Sequence, residues 1–204
     1  KKAELKALQA QIKPHFLYNV LQAVNWNAID KGDTETSLIV VNLSNFYRAV
    51  LNKGDDDISV EKELKIVEYY INVEKAIYGD IFKVAYNIDE GIKNCLAIPL
   101  ILQPLVENAI EHGIRSLAEP HGEIAVSAYA EGGTLVFTVS DNGAGIPLQK
   151  TDTILTKATS GYGLKNINER IKLRFGEEYG LRLTSPRSPT VFTITLPLIP
   201  LEPQ

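Results

Sequence analysis

The chain has 204 residues, and its 21 Lys and Arg side chains against 25 Asp and Glu give a net charge of −4. This balance excludes the broad basic surface that nucleic acid or an anionic membrane requires, so no nucleic-acid partner is expected. The length allows one or two compact units, and the single cysteine, Cys95, excludes an internal disulfide and is typical of a reducing compartment such as the cytoplasm.

The first segment predicts a long helix, because apolar residues recur in it at helical spacing. These residues are Leu5, Leu8, Ile12, Phe16 and Val20. The chain opens inside this amphipathic pattern without a start signal, which predicts that it is cut from a longer parent. No run of about 18 apolar residues follows, so membrane attachment is expected only through parts of the parent outside this sequence.

Pro14 interrupts this helix directly before His15. A proline inside a helix removes one backbone donor, so it frees the carbonyl of Ala10 and predicts a kink beside His15. His15 lies at the flank of the apolar stripe, where a side chain can be partly exposed and still held by packing. For a lone histidine, a structural role is the alternative.

A break at Lys31-Gly32-Asp33 ends the first helix. A second helix is predicted from Asp33 or Thr34 to Asn52-Lys53-Gly54. Each helix is amphipathic, and a lone helical hairpin cannot bury two apolar stripes. Two copies are therefore expected to pair into a four-helix bundle, which predicts a homodimer.

A third helix is predicted for residues 61–77, with Ser59 as its N-cap. After Gly79 the pattern changes. Strands are predicted for residues 82–88, 123–130, 134–141, 181–185 and 190–196, and helices for 98–113 and 164–175. Residues 143–163 lack periodicity, which predicts a mobile loop. The predicted fold class is α+β, with a helical dimerisation domain at 1–78 and an α/β sandwich at 79–204.

The predicted helix 98–113 carries pairs of polar residues. Asn108 and His112 are four residues apart and share a face, as do Glu107 and Glu111. The amide oxygen of Asn108 suits Mg²⁺, which is otherwise held by waters and substrate phosphates. Glu107 is a candidate to orient or activate an attacking group. The alternative is that these are ordinary polar residues of an amphipathic helix.

The string Asp141-Asn142-Gly143-Ala144-Gly145-Ile146 directly follows a predicted strand. Asp141 at the strand end can accept a hydrogen bond from an exocyclic amine such as that of adenine. Gly143 and Gly145 allow close approach of the backbone to a ligand. The same string is also typical of a type I′ turn, so it does not by itself identify a binding site.

A second glycine pair, Gly161-Tyr162-Gly163-Leu164, runs straight into a predicted helix, whose N-terminal N–H groups can hold phosphate. The loop between the two glycine segments has the length expected of a lid. Lys157 in this loop is a candidate phosphate contact, and a solvated loop lysine is the alternative.

The order of these three segments resembles the N, G1 and G2 boxes of the Bergerat ATP-binding fold, which histidine kinases, gyrase and MutL share. The resemblance implies ATP as the ligand, with Asp141 on adenine, Asn108 on Mg²⁺ and the glycines framing a lid over the phosphates. The residues implied to bind the cofactor are Asn108, His112, Arg115, Asp141, Gly143, Gly145, Ile146, Lys157, Gly161, Gly163 and Leu164.

The segment from Gln11 to Asn19 resembles the QxxPHFLYN histidine box of the LytS-type sensor kinases. Two further stretches, IPLILQPLVENAIEHG and GLKNINERIKLRFG, are similar to the same family. The resemblance implies an ATP-dependent protein-histidine kinase that phosphorylates its own His15 and then passes the phosphate to an aspartate of a response regulator. It also implies a parent protein in the bacterial cell membrane, with this part in the cytoplasm.

The chain departs from the commoner histidine kinases at three positions, and one of them, Pro104 in place of the first N-box asparagine, is allowed by the LytS-type pattern itself. Phe16 stands where many carry an acidic residue after the phosphoacceptor, so the general base stays open, and Asn19, one turn on, is a candidate to orient the imidazole. Glu111 replaces a lysine that contacts phosphate in many kinases, and His112 or Arg115 is expected to compensate.

Two other functions are compatible with parts of this pattern. A non-kinase ATP-binding module or a pseudokinase of the same fold would have no need of His15 in its own box. A dimeric helical interaction module with a structural sandwich would not bind nucleotide.

Overall fold

The computed structural model describes residues 14–51, 57–155 and 162–201. Helices α1 (Pro14–Asp30) and α2 (Thr34–Leu51) form the expected hairpin. Gly32 adopts a positive φ of 68° in the turn, and the carboxylate of Asp33 accepts the N–H of Thr36 at 3.0 Å, which caps α2. The predicted helix before Pro14, and with it the predicted kink, lies outside the described residues.

Helix α3 (Val60–Tyr78) begins at the predicted N-cap, because the hydroxyl of Ser59 accepts the N–H of Lys62 at 3.2 Å. Just before this helix, strand β1 (Ile58–Ser59) pairs antiparallel with β3 (Leu96–Ala97). The sequence does not predict these strands, because two residues are too few to show an alternating pattern.

In the described part of the chain, the longer strands form a five-stranded sheet in the order β2-β4-β5-β7-β6. Their bounds are β2 (Phe82–Ile88), β4 (Gly122–Glu131), β5 (Thr134–Asp141), β6 (Gly180–Pro186) and β7 (Thr190–Pro197). β2 and β4 are parallel, and the other neighbours are antiparallel. The predicted strands 123–130 and 134–141 are confirmed as β4 and β5, which form a hairpin with Gly132 and Gly133 at positive φ in its turn. The register sets Asp141 opposite Thr190.

The helices α3, α4 (Gln103–Asn108) and α6 (Tyr162–Phe175) share one hydrophobic cluster with this sheet. Phe82, Phe137 and Phe192 lie at its centre and are at most 2% exposed. Burial of each such side chain contributes about 1.5–3 kcal/mol relative to exposure. The structure thus confirms the predicted mixed fold, a helical hairpin followed by an α/β sandwich.

Helix α3 joins the two parts of the molecule. It packs along α2, where the rings of Phe46 and Tyr70 lie 6.2 Å apart, and it also supplies buried side chains to the sandwich core. The predicted domain boundary near Gly79 falls between α3 and β2, and its use as a domain boundary stays a prediction. Among the described helices, none is both long and apolar enough to cross a bilayer.

The predicted helix 98–113 is wrong in its bounds. The α-helix begins only at Gln103, and after Asn108 the chain continues as a π-helix (Ala109–Ile114), in which the Arg115 N–H reaches the carbonyl of Ile110 at 2.9 Å. Residues 98–102 are not helical, because the carboxylate of Glu63 on α3 accepts the N–H groups of residues 100, 101 and 102.

The predicted loop at 143–163 is also partly wrong, because a one-turn helix α5 (Leu148–Thr151) forms within it. A turn of four residues is too short to show helical periodicity. Helix α6 begins two residues before the predicted 164, and a short 3₁₀ helix (Glu90–Ile92) follows β2.

Candidate functional site

A cavity of about 420 Å³ opens between the π-helix, the end of β5 with its following loop, and the start of β7. This volume lies in the range of small-molecule sites. We call it the Asp141 cavity, and its lining residues are Asn108, His112, Gly113, Ser116, Asp141, Ala144, Gly145, Ile146, Pro147, Lys150, Ile154 and Thr190. The structure therefore gathers five of the predicted residues around one cavity: Asn108, His112, Asp141, Gly145 and Ile146.

Asp141 is the buried charged group of this cavity and is only 5% exposed. Burial raises the pKa of its carboxyl to about 6, while the Gly143 N–H, which donates to Oδ1 at 2.9 Å, and the Thr190 hydroxyl both lower that pKa. The Thr190 hydroxyl makes no hydrogen bond of regular geometry and is buried from solvent. A carboxylate and a hydroxyl thus face the cavity from adjacent strands, which suits a ligand that donates a hydrogen bond.

The wall beside Asp141 is built from a contact that only glycine allows. A Cβ on Gly113 would lie 2.5 Å from Asp141 Oδ1, and a Cβ on Gly143 would lie 2.5 Å from the Cα of Gly113. The Ala144 N–H donates to the carbonyl of Gly113 at 3.0 Å and holds the two segments together. The type I′ turn alternative is wrong, because that turn needs a positive φ at two consecutive residues and in this string only Gly145 has one.

The second glycine of the G1 segment lies where the loop meets the end of β6. Gly145 has a φ of 76°, and the neighbouring Ile146 N–H donates to the carbonyl of Pro186 at 2.8 Å. That bond presses the Ile146 side chain into the cavity wall, where it is 8% exposed. The lining thus combines apolar surface with several polar groups, which is typical of a small-molecule site.

Asn108 and His112 also line the cavity, and both reach it from one helix face, as their four-residue spacing predicts. Within the described ranges, no three His, Cys, Asp or Glu side chains gather as a metal site. A cation at this position would rely on the Asn108 amide oxygen together with ligand phosphates and water, and Mg²⁺ binds in this way. The donor set present therefore fits Mg²⁺ bound with a nucleotide.

Several predicted residues do not line the Asp141 cavity. Glu107 is exposed and accepts a hydrogen bond from Gln103 Nε2 at 2.9 Å. Arg115 pairs with Glu111 and stacks over the ring of Tyr78 at 4.2 Å, because the π-turn directs it away from the cavity. Both are therefore engaged on the α3 side of the helix.

The predicted glycine and leucine at the start of α6 also lie behind the cavity wall. Leu164 is 3% exposed within the hydrophobic core, and a Cβ on Gly163 would lie 3.4 Å from the Pro104 ring. Gly143 packs against Gly113 and does not line the cavity. Lys157 and Gly161 lie outside the described residues.

His15 and Asn19 lie together on α1. Both are exposed, and Asn19 Nδ2 is 3.2 Å from His15 Nδ1, so the amide is in reach to orient the imidazole, as its spacing predicts. No general base adjoins them in sequence, since Phe16 follows His15 and is 66% exposed.

The sequence misses Thr190, Lys150 and Gly113 as site residues. Thr190 enters the cavity only through the pairing of β5 with β7, which leaves no local signal. Lys150 lies on the unpredicted α5 and provides a cation at the cavity. Gly113 follows His112 within a recognisable segment, and the close approach of Asp141 explains why it is glycine.

Family models match both halves of the chain. A model described as "Histidine kinase" matches residues 3–82, and one described as "Histidine kinase-, DNA gyrase B-, and HSP90-like ATPase" matches residues 96–200. Sensor histidine kinase YesM of Bacillus subtilis is 38% identical over 200 residues, which cover 97% of this chain and 34% of YesM. Sensor protein LytS of Staphylococcus saprophyticus is 37% identical over 207 residues, covering 98% of this chain and 34% of LytS.

Among solved structures, histidine kinase ThkA in complex with response regulator protein TrrA superposes with a TM-score of 0.54 at 14% identity, covering 98% of this chain and 62% of that chain. At this identity the likeness concerns the fold alone. The chain spans about a third of the length of the curated relatives YesM and LytS. It belongs to the histidine kinase-, DNA gyrase B- and HSP90-like ATPase family, and within it to the sensor histidine kinases of the LytS type.

The pKa of Asp141 predicts a pH dependence of adenine binding. An adenine amine would donate only to the ionised carboxylate, so affinity should be full above about pH 7 and should fall by up to about tenfold per pH unit below pH 6. The probe is adenosine, which has no phosphate to titrate, and its affinity is measured by calorimetry between pH 5 and 8. Asp141→Asn should bind weakly with a flat profile, and a flat profile in the unaltered chain would contradict this role.

Gly113→Ala should weaken nucleotide binding by about tenfold or more, because the new methyl group displaces the Asp141 carboxylate and such overpacking costs about 1–3 kcal/mol. The measurement is the affinity for ADP beside a thermal melt. Gly91→Ala is the matched control, since a Cβ there meets nothing within 4 Å. Equal affinities in the two variants would show that the contact is unimportant for binding.

Proposed function

We propose that this chain is the kinase part of a longer sensor histidine kinase, and that it binds Mg-ATP in the Asp141 cavity and phosphorylates His15. The cavity carries this conclusion, because its lining joins a buried carboxylate, which suits a base amine, to an amide that suits a phosphate-bound cation. The match of residues 96–200 to the ATPase family supports it.

At the adenine end, Asp141 would accept the exocyclic amine, with the Thr190 hydroxyl beside it and Ile146 against the face of the ring. Both polar atoms lose water on burial, so a ligand that lacks the matching donor would leave them unpaired at a cost of about 1–3 kcal/mol each. This cost would favour adenine, whose amine can donate a hydrogen bond, over bases that present a carbonyl at the same edge.

At the phosphate end, Asn108 would contribute its amide oxygen to Mg²⁺, and His112 and Lys150 would contact phosphate oxygens. Bound Mg²⁺ neutralises charge on the phosphate oxygens. Arg115 is held by Glu111 and Tyr78, which favours His112 over Arg115 as the residue that compensates for the missing lysine.

The transfer step would use the imidazole of His15 as nucleophile. A lone pair of a neutral ring nitrogen forms a bond to the γ-phosphorus, the bond from that phosphorus to the β–γ bridging oxygen breaks with its electron pair, and ADP leaves. The proton on the other ring nitrogen passes to solvent, to which the exposed His15 has access. Asn19, turned so that its oxygen faces Nδ1, would hold the proton there and leave Nε2 to attack.

The phosphate would then move from His15 to an aspartate of a response regulator. Membership of the sensor histidine kinases supports this partner, and ThkA was crystallised with a response regulator. Glu107 is exposed at the α3 side, which leaves it accessible to an approaching domain, and its part in activating His15 stays a prediction. Attachment of the longer protein to the membrane likewise stays a prediction.

Homodimerisation through the hairpin is supported by an exposed apolar stripe on α1. Leu21 and Ala28 are buried against α2, whereas Phe16, Val20 and Val24 are 66%, 42% and 42% exposed at successive intervals of four residues. A stripe at this spacing on one helix is typical of a bundle interface. A second copy of the chain would bury it and complete the four-helix bundle.

His15→Ala should abolish phosphorylation. The unaltered chain, incubated with radiolabelled ATP and Mg²⁺, should acquire an acid-labile, base-stable phosphate, because a phosphorylated imidazole hydrolyses in acid. His121→Ala, an exposed histidine outside the proposed site, should label as the unaltered chain does. Labelling that persists in His15→Ala would refute the acceptor, and an unlabelled but ATP-binding chain would indicate a pseudokinase.

Val20→Glu combined with Val24→Glu should convert the dimer to a monomer in sedimentation velocity, because two carboxylates would be buried without partners. Gln22→Glu adds a charge to the opposite side of α1 and should leave the dimer intact. A dimeric double variant would mean that another surface joins the copies.

A further inference from the structure

Glu63 is the other charged side chain that the described residues bury almost completely. It lies in the first turn of α3 and is 0% exposed. An isolated carboxylate in such surroundings is costly, so its partners must compensate. The proposed function assigns Glu63 no role, but the backbone groups that bind it adjoin a helix that lines the Asp141 cavity.

The partners of Glu63 are three consecutive backbone N–H groups at the start of α4. Oε2 accepts from Leu100 at 2.9 Å, and Oε1 accepts from Ile101 and Leu102 at 2.8 Å each. These N–H groups precede the first turn of the helix, where intrahelical partners are missing and negative charge is favourable. Glu63 therefore caps α4 from a different helix.

Arg170 of α6 holds the same segment from the other side. Its guanidinium donates to the carbonyl of Pro99 at 2.7 Å. Its charge also lowers the pKa of Glu63, as the three N–H groups do, whereas burial raises that pKa and has the larger effect. The segment 99–102 is thus clamped between α3 and α6.

The clamped segment stores backbone strain. Leu100 has a φ of 61°, in the left-handed region that a leucine rarely adopts and that costs about 1 kcal/mol or more. Its N–H is one of those that Glu63 accepts. Without Glu63, the chain would gain by relaxing Leu100, and the start of α4 would move with it.

We propose that Glu63 is a positioning residue of the nucleotide site, which sets where Asn108 stands relative to Asp141. Asn108 ends the helix that Glu63 caps, whereas Asp141 ends a strand of the sheet and meets the continuing π-helix further on, at Gly113. Loss of the cap would therefore displace Asn108 at the cation end more than the contact of Gly113 with Asp141 at the adenine end. This inference rests on the proposed binding of Mg-ATP.

The test compares Glu63→Gln with the unaltered 204-residue chain. The amide keeps the size of the side chain but directs an NH₂ group at backbone donors. Affinity for ATP is measured by calorimetry with Mg²⁺ and again with a chelator. Glu63→Gln should weaken Mg-ATP binding by about tenfold or more, equivalent to about 1.4 kcal/mol, and change metal-free binding by less than about threefold.

Glu68→Gln is the matched control, because it makes the same change on the same helix at an exposed glutamate paired with Lys65. It should leave both affinities unchanged. A direct readout is amide hydrogen exchange at residues 100–102, which should accelerate in Glu63→Gln and not in Glu68→Gln.

The outcomes separate this role from general destabilisation. Equal losses with and without Mg²⁺, or an unchanged Mg²⁺ enhancement in the folded variant, would overturn the positioning role. If Glu63→Gln does not fold, the same two affinities are measured for Arg170→Gln. This variant removes the donor to the Pro99 carbonyl and should likewise weaken Mg-ATP binding more than metal-free binding. An unaltered chain that binds no ATP would refute the proposed function itself, and the inference with it.

Discussion

The acceptance of three backbone N–H groups by one buried carboxylate is the contact on which the architecture depends. Glu63 joins a helix that packs on the hairpin to the first turn of the helix that lines the cavity. Each N–H left unpaired there would cost about 1–3 kcal/mol, and the helix itself offers these N–H groups no acceptor. The Glu63 side chain therefore determines where α4 begins, and the local sequence by itself does not.

A second constraint shapes the cavity itself. Gly113, Asp141 and Gly143 approach so closely that a methyl group on either glycine would clash. This proximity lets the loop after β5 bond to the π-helix, and it encloses the Asp141 carboxylate enough to raise its pKa to about 6. The same packing that excludes side chains thus creates a desolvated acceptor, which the proposed binding of adenine would use.

The two halves of the molecule offer complementary chemistry. The sandwich provides a desolvated cavity with few, fixed polar groups, whereas α1 presents an exposed imidazole with an amide 3.2 Å away. An exposed nucleophile needs little from its own surroundings when positioning and charge neutralisation are supplied elsewhere. An apolar stripe lies on α1 together with His15, so this helix would serve both in dimer formation and in phosphoryl transfer.

The sequence alone was sufficient for the helical hairpin, the five longer strands and the order of the three segments that resemble nucleotide-binding boxes. Helical and alternating spacing, the Ser59 cap and the turn glycines are all local signals. The resemblance grouped Asn108, His112, Asp141, Gly145 and Ile146 in one site, and the structure brings these five residues to one cavity. Only the tertiary structure decided the late start of α4, the π-turn that sends Arg115 to Tyr78, and the entry of Thr190 beside Asp141. Each of these depends on groups distant in sequence: Glu63 lies 37 to 39 residues from its partners, and a strand register joins Thr190 to Asp141. Periodicity reports which face of an element is apolar, but not which distant donor or acceptor will meet it.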